Sequence, residues 1–379
     1  MTNISSPIRA AIIGTGRIAD TIDDELIHYP GLELPKGNVH SGGSTVLPKS
    51  HAGGYQQVDG FELVAGANRG VERLREFGRR REVDMLFEDY QHLLEEANPD
   101  VVSVCTQSPE KCEVTVACAE AGVRAVIVEK AMGTSLTEVD RMIEACKSSG
   151  TLLAVNHPFR FSPVFRQARE IIDDQEIGEL QHISSHTGTL VHGGSHDFDL
   201  ARLLAGDVRT VRARVPELKA DHRTSGPLNG TYPDYRGDVM LTFRNGATGY
   251  ISGTTSADMG MTVRGANGYL NIPRSRGIMR ITESQRGDPA EFGYEKSVDR
   301  GVAWQTERGV WGHDQPERST TVVMLEELRQ ALIDGDQFNS TGVDGRAALE
   351  LGIAAYHSAL TSSPVQLPLE RSELRVLNK

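Results

Sequence analysis

The sequence predicts an α/β Rossmann domain, a doubly wound parallel sheet, followed by an α+β domain with an open, mostly antiparallel sheet. Three observations carry this prediction. Short apolar runs alternate with helical segments up to residue 155, a glycine loop follows the first run, and beyond Asn156 strands join directly through a hairpin turn.

In chain order, residues 8–13, 61–65, 101–105, 125–128 and 152–155 read as strands. Their near-continuous apolar character is that of parallel strands covered on both faces, with the helices between them as right-handed crossovers. Asp89 is placed to cap a helix ending before Asn98-Pro99, Gly122 follows a helix starting near Glu110, and Ser135 with Glu138 forms a capping box. After Asn156 the strand runs are 238–243, 248–253, 261–264 and 268–272, the first two joined by Asn245-Gly246, a strong hairpin signal. Helices are expected near 162–173, 197–204, 320–333 and 345–359. Two polar stretches, 217–237 and 283–318, read as long functional borders or subunit contacts. The division is therefore 1–155 and 156–379.

A chain of 379 residues exceeds what one core serves, and 38% hydrophobic with 24% charged residues is an ordinary globular composition. The formal charge of -12 excludes nucleic acid or an anionic membrane as the main partner, because their binders present basic surfaces. The four cysteines fit neither a disulfide framework nor a metal site and read as reduced. No secretory signal or bilayer-length apolar run is read, so a cytoplasmic location is expected.

Gly14-Thr15-Gly16 continues into Arg17-Ile18-Ala19, giving G-x-G-x-x-A where a strand turns into a helix. Glycines allow close backbone approach to a pyrophosphate, and the helix start offers unpaired N–H groups. A tight turn in a cofactor-free sheet is the bland alternative; four further strands favour a dinucleotide. The second strand ends at Asn68-Arg69 where NAD binders carry an acidic residue. An amide and a guanidinium suit the 2′-phosphate of NADP. NAD stays open, with Arg69 stacked on adenine or solvated.

With these motifs in view, the chain resembles the Gfo/Idh/MocA oxidoreductase family over nearly its whole length. The resemblance rests on the phosphate loop, Glu129-Lys130, Arg160-Phe161-Ser162-Pro163, the H-x-x-D of His196 and Asp199, Phe243 to Ala247, and Thr341 to Gly345. It implies that nicotinamide and substrate meet between a Rossmann domain and an open sheet, and that the protein is a homodimer or homotetramer. It implies roles as well. Lys130 would hydrogen-bond the reacting hydroxyl, His196 would carry its proton, Glu129 would orient Lys130 or the nicotinamide, Asp199 would hold His196, and Thr106 would contact the nicotinamide ribose, with Gln107, in place of the family's proline, beside the cofactor. Polar candidates for hydroxyl recognition are Asn156, His157, Arg160, His186, His192 and Asp197.

Several departures from the family pattern stand out. Ala131 replaces the proline that usually follows the lysine, suggesting a trans peptide bond there. His192 stands where many members carry aspartate, and Lys111 where many carry histidine. About thirty extra residues, roughly 21–50, separate the phosphate loop from His51-Ala52-Gly53-Gly54-Tyr55, the family's H-A-x-x-Y. Residues 37–49 of this insertion read as a lid or subunit contact. The expected activity is NAD(P)-dependent oxidation or reduction of a sugar, glycoside or cyclic polyol, without a metal. The alternatives are a redox-assisted glycosidase and a non-catalytic dinucleotide-binding regulator.

Overall fold

The computed structural model describes residues 6–27, 47–218, 230–254, 260–272, 278–285, 294–301, 304–306, 309–311, 318–369 and 372–378. These form two compact units, divided after Pro158, with Arg318–Arg346 returning to the first.

The first unit is built on a parallel sheet of six strands: β1 (Ile8–Ile13), β2 (Phe61–Ala67), β3 (Met85–Phe87), β4 (Val101–Val104), β5 (Ala125–Glu129) and β6 (Leu152–Asn156). Their spatial order is β3-β2-β1-β4-β5-β6, so the chain reverses direction across the sheet beside β1, the switch point at which doubly wound folds bind dinucleotides. Ala10, Ala11, Ile12, Val101, Val102, Val126 and Ile127 are wholly buried, which explains the unbroken apolar runs. The edge strand β3 is only three half-buried residues long, too short for a periodic signal, and was not expected. Helix α3 (Val71–Arg81) lays Phe77 on bare backbone: a Cβ on Gly66 of β2 would stand 2.5 Å from its ring. Asp89 and Ser135 cap their helices as expected, and Glu138 returns its carboxylate to the Thr134 N–H at 2.7 Å.

After β1 a wide turn, Arg17–Thr21, runs into the short helix α1 (Ile22–Ile27), and α2 (His51–Gln57) resumes the domain beyond the insertion. Asp23 ties the two ends together, its carboxylate accepting from Lys49 N at 2.7 Å, Ser50 N at 3.1 Å and Ser50 Oγ at 2.5 Å. Residues 28–46, which hold most of the expected lid, lie outside the described residues.

Where the sequence suggests one division at 155/156, the first compact unit runs to Pro158 and also takes in 318–346. The helix Thr320–Asp334 packs on α2, where Gly54 leaves room for Leu325 and Thr321, and Thr321 Oγ1 donates to Lys49 O at 3.1 Å. Thr341 then bridges Ala154, and Val155 N donates to Ser340 O at 2.8 Å, extending the sheet beyond β6.

The second unit holds a mixed sheet of nine strands in the order β15-β14-β13-β12-β7-β11-β10-β8-β18. Here β7 is Leu180–His186, β8 Val208–Arg214, β10 Asp238–Phe243, β11 Thr248–Ser252, β12 Met261–Gly265, β13 Gly268–Ile272, β14 Ile278–Gln285, β15 Tyr294–Gly301 and β18 Val365–Gln366. Every described pairing is antiparallel except β7 with β11. Asn245-Gly246 makes the predicted hairpin, with Gly246 at φ 92° and Phe243 N donating to Ala247 O at 2.8 Å. Residues 283–318, read as a loop, instead contain β15 and the pair Trp304–Thr306 with Gly309–Trp311. The sequence of β15, Tyr-Glu-Lys-Ser-Val-Asp-Arg-Gly, has too few apolar residues to announce a strand. Two helices, α7 (Pro163–Asp173) and α8 (Gly194–Ala205), cover the sheet's start.

Because Phe77 is fully buried and its ring replaces a side chain on β2, Phe77→Ala should cost about 3–5 kcal/mol in denaturant unfolding. A loss below ~1 kcal/mol would contradict this packing role.

Candidate active site

The dinucleotide cradle forms where β1 and β4 end. Gly14 has φ 91°, and a Cβ there would stand 2.9 Å from the backbone of Cys105 and Thr106, so this glycine is required by the close approach of two strand exits. Its N–H donates to Ala67 O at 2.8 Å, fastening the loop to β2. Gly16 is different: a Cβ there would meet nothing within 4 Å, which leaves open space at the turn Arg17–Thr21, where Arg17 and Ile18 begin. The hydroxyls Thr15 Oγ1 and Thr106 Oγ1 are buried with no hydrogen-bond partner among the described residues. Orphaned buried hydroxyls beside a bare backbone turn fit a polar ligand such as the phosphates and ribose of a dinucleotide. Gln107 follows Thr106 and accepts the Glu110 N–H at 3.0 Å in a single turn ahead of α5 (Lys111–Glu120). At the end of β2, Asn68 Nδ2 donates to Gly70 O at 3.1 Å, and the exposed Arg69 guanidinium pairs with Glu110.

Glu129 closes β5 with a buried carboxylate. His51 Nε2 lies 2.9 Å from Glu129 Oε1, and Asn156 Nδ2 donates to the same oxygen at 2.6 Å. His51 Nδ1 reaches Ser103 Oγ at 2.9 Å, and Tyr55 OH joins Ser103 Oγ at 2.7 Å. Burial alone would lower the His51 pKa, but Cys105 and Glu129 outweigh it and raise it. Burial would likewise raise that of Glu129; the hydrogen bond and charge of His51, with Lys111 and Lys130, lower it instead. The pair is thus held as imidazolium and carboxylate. Lys111, 2% exposed, donates from Nζ to Glu129 O at 2.6 Å, Ala131 O at 2.7 Å and Lys130 O at 3.4 Å. Burial chiefly, with the Lys130 charge, lowers its pKa to about 8 against the pull of Glu129. The Lys130-Ala131 bond is cis rather than trans as the missing proline suggested, and carbonyls on both sides of it converge on Lys111.

The first unit therefore brings together Gly14, Thr15, Gly16, Thr106, Glu129 and Lys130 at the C-terminal edge of one parallel sheet. Two expected hydroxyl readers serve inside it instead: Asn156 holds Glu129, and the buried His157 meets Ser340 Oγ at 3.1 Å. Sequence reasoning used His51 and Tyr55 only as landmarks, although their spacing of four puts both on one face of α2, and it missed Ser103.

In the second unit, α8 carries Asp197, Asp199 and His196. Asp199, expected to hold His196, accepts hydrogen bonds from Arg160, whose Nε lies 3.0 and 2.9 Å from the two carboxylate oxygens and whose Nη2 lies 2.7 Å from Oδ1. This bidentate contact between the Arg160 guanidinium and the buried Asp199 carboxylate anchors α8, which places the substrate candidate Arg160 beside the helix of His196. Ser185 Oγ donates to Asp197 Oδ1 at 2.5 Å, and the Phe159 ring meets the half-buried His196 edge-on, centroids 5.2 Å apart. His192 precedes the helix in a turn whose amides are collected by Asp234: Val191 N donates at 2.9 Å and His192 N at 2.7 Å. His186, at the end of β7, reaches Thr254 Oγ1 at 3.4 Å.

The two glycines of the cradle should behave oppositely. Gly14→Ala should cost about 1–3 kcal/mol of stability from its strained backbone, whereas Gly16→Ala should unfold like wild type yet bind dinucleotide roughly tenfold or more weakly. Calorimetry and titration with NADH separate the two effects, and wild-type binding by Gly16→Ala would refute the cradle. The His51–Glu129 pair sets a pH dependence. With Glu129 lowered from 4.5, its contribution is present above that pH and lost in acid; with His51 raised from 6.5, its contribution is complete below that pH and lost as pH rises. The stability deficit of His51→Gln should therefore be largest between pH 4.5 and 6.5 and shrink on both sides, as denaturant unfolding at each pH would show.

Residues 42–157 match the model of an oxidoreductase family with an NAD-binding Rossmann fold, and residues 183–367 match the same family's C-terminal alpha/beta domain. The first match begins beyond most of the insertion. Among curated relatives, the myo-inositol 2-dehydrogenase of Thermotoga maritima is 27% identical over 84% of this chain and 94% of its own length. The scyllo-inositol 2-dehydrogenase (NAD(+)) of Bacillus subtilis is 24% identical over 83% and 91%. A solved oxidoreductase from Agrobacterium radiobacter, in complex with NAD+, L-tartaric acid and magnesium, shares the fold at a TM-score of 0.70 and 18% identity, covering 95% of this chain and 98% of its own. With both of its domains matched in order, the chain belongs to the Gfo/Idh/MocA family of oxidoreductases.

Proposed function

We propose that this protein is an NAD(P)-dependent dehydrogenase acting on a secondary alcohol or ketone of a sugar, glycoside or cyclic polyol. The observation that carries the reading is the placement of Lys130 at the strand-end edge that also holds Gly14 to Gly16 and the orphaned Thr15 and Thr106 hydroxyls. The inositol dehydrogenases among its relatives support the substrate class.

When bound, nicotinamide supplies the hydride acceptor or donor. Thr15, Gly16 and Thr106 would hold the dinucleotide through bare backbone and hydroxyls. Lys130 donates a hydrogen bond to the reacting oxygen and stabilises the negative charge that grows on it as hydride leaves its carbon. His196 takes the hydroxyl proton or returns it, as an imidazole titrating near neutrality can. His192 lies within the same turn-and-helix segment and reads a neighbouring hydroxyl, while Arg160 with Asp199 and Ser185 with Asp197 keep α8 rigid.

For the nucleotide, Asn68-Arg69 favours NADP, with NAD also accepted. The exposed Arg69–Glu110 pair is worth about 0–1 kcal/mol, less than a bidentate arginine–phosphate contact, so a 2′-phosphate displaces Glu110. The four cysteines are free thiols, in keeping with a cytoplasmic location, and the open sheet of the second unit suits a homodimer or homotetramer.

The test supplies NAD and NADP separately against sugars, polyols including myo-inositol, and glycosides, following reduced-nicotinamide absorbance. Stoichiometric reduction is the expected outcome; aglycone release without net reduction would establish the glycosidase, and binding alone the regulator. Lys130→Ala should lower kcat by about 10²–10³ while dinucleotide affinity is retained. Arg69→Ala should lower kcat/KM for NADP by roughly 10–100-fold and spare NAD; equal losses would reject the phosphate role.

A further inference from the structure

Lys111 is the first residue of α5 and is almost fully buried. A cation there opposes the positive end of the helix dipole and loses its hydration, two penalties that an apolar side chain would avoid. What offsets them is a convergence of three consecutive carbonyls, Glu129 O at 2.6 Å, Lys130 O at 3.4 Å and Ala131 O at 2.7 Å, with the Glu129 carboxylate adding favourable charge. These carbonyls belong to the segment from which the Lys130 side chain leaves the sheet edge. Holding the peptide planes before and after Lys130 fixes the direction of its Cα–Cβ bond.

We propose that Lys111 is a positioning residue for Lys130, its buried ammonium clamping the 129–131 backbone so that the Lys130 amine is presented in one orientation. The proposal rests on the role assigned to Lys130 above. At 2% exposure and with its Nζ turned to backbone carbonyls, Lys111 acts through the 129–131 backbone. Its contribution is geometric, and a displacement of about 1 Å at a reacting group can cost about 100-fold in rate.

The test compares Lys111→Met, Lys111→Gln and Lys111→Arg with wild type and Lys130→Ala. In Lys111→Met, kcat for the most active polyol of the panel should fall about 100-fold, while KM for the dinucleotide and the Kd for NADH by fluorescence stay within about threefold. Amide hydrogen exchange in a peptide spanning 129–135 should quicken about tenfold or more, with β1 and β2 unchanged, which a general loss of stability would not produce. Lys111→Arg, which can again donate to several carbonyls, should recover about tenfold of the lost kcat, and Lys111→Gln provides a milder folded variant for the same readouts. Unaltered exchange in 129–135 together with kcat within about threefold of wild type in Met and Gln variants overturns the proposal. Full turnover by Lys130→Ala would instead remove the role of Lys130, and the exchange measurement would still show separately whether Lys111 holds this backbone.

Discussion

The first unit depends on how the charge of Glu129 is accommodated. A carboxylate at the end of a central parallel strand is surrounded by apolar sheet and helix, where an unpaired charge would cost several kcal/mol. His51 and Asn156 meet it from the side, while Lys111 lies close by on the backbone carbonyls. The same arrangement that neutralises Glu129 draws α2, α5 and β6 to the segment carrying Lys130. Local electrostatics and the layout of the site are one problem with one solution. Removing His51 would leave the Glu129 carboxylate buried without its counter-ion, a penalty that the loss of an apolar contact does not carry.

This explains what could and could not be read from the sequence. The parallel strands were legible because burial on both faces writes itself as Val, Ile and Ala without interruption, as in Ala125 to Val128. The phosphate loop was legible because only glycine tolerates the conformation of Gly14 against Cys105 and Thr106. The strands Leu180–His186 and Val208–Arg214 were not legible: one face of that sheet is polar, and His, Ser, Arg and Thr alternate with few apolar residues. The partners of charged groups were hidden more deeply still. Asp199 sits at the spacing that suggests a histidine partner, and nothing along the chain reveals that Arg160, 39 residues away, fits its two oxygens. Lys111 looked like a substitution for histidine, and only the fold shows three carbonyls around it.

In the second unit the residues around His192 and His196 are organised from far away in sequence. Asp234 accepts two amides of the turn before α8, and its own N–H donates to Leu377 O at 2.8 Å, where the strand Arg375–Leu377 runs beside Thr231–Pro233. Tyr356 adds to this from the last long helix, donating to Pro233 O at 2.7 Å and accepting from Tyr235 N at 2.6 Å. The turn buries Leu190 and Val191 and leaves the His192 imidazole half-buried just ahead of α8. Its precision comes from a carboxylate that the final strand of the chain holds in place.

The insertion shows how a site can tolerate a long added segment. The chain enters the insertion from α1 and re-enters the domain at α2, and these two ends are fastened to each other. Asp23 fixes them, gathering Lys49 and Ser50 onto the end of the phosphate-loop turn, while Arg81 holds Asp20 at 2.6 Å one turn earlier. Ser50 in turn caps α2, accepting from Gly53 N at 3.0 Å, and the next residue is His51. One carboxylate therefore joins the exit of the cradle, the end of the insertion and the helix that neutralises Glu129. The phosphate-loop turn and the H-A-x-x-Y helix are thereby tied to each other directly, by contacts that do not pass through the segment between them.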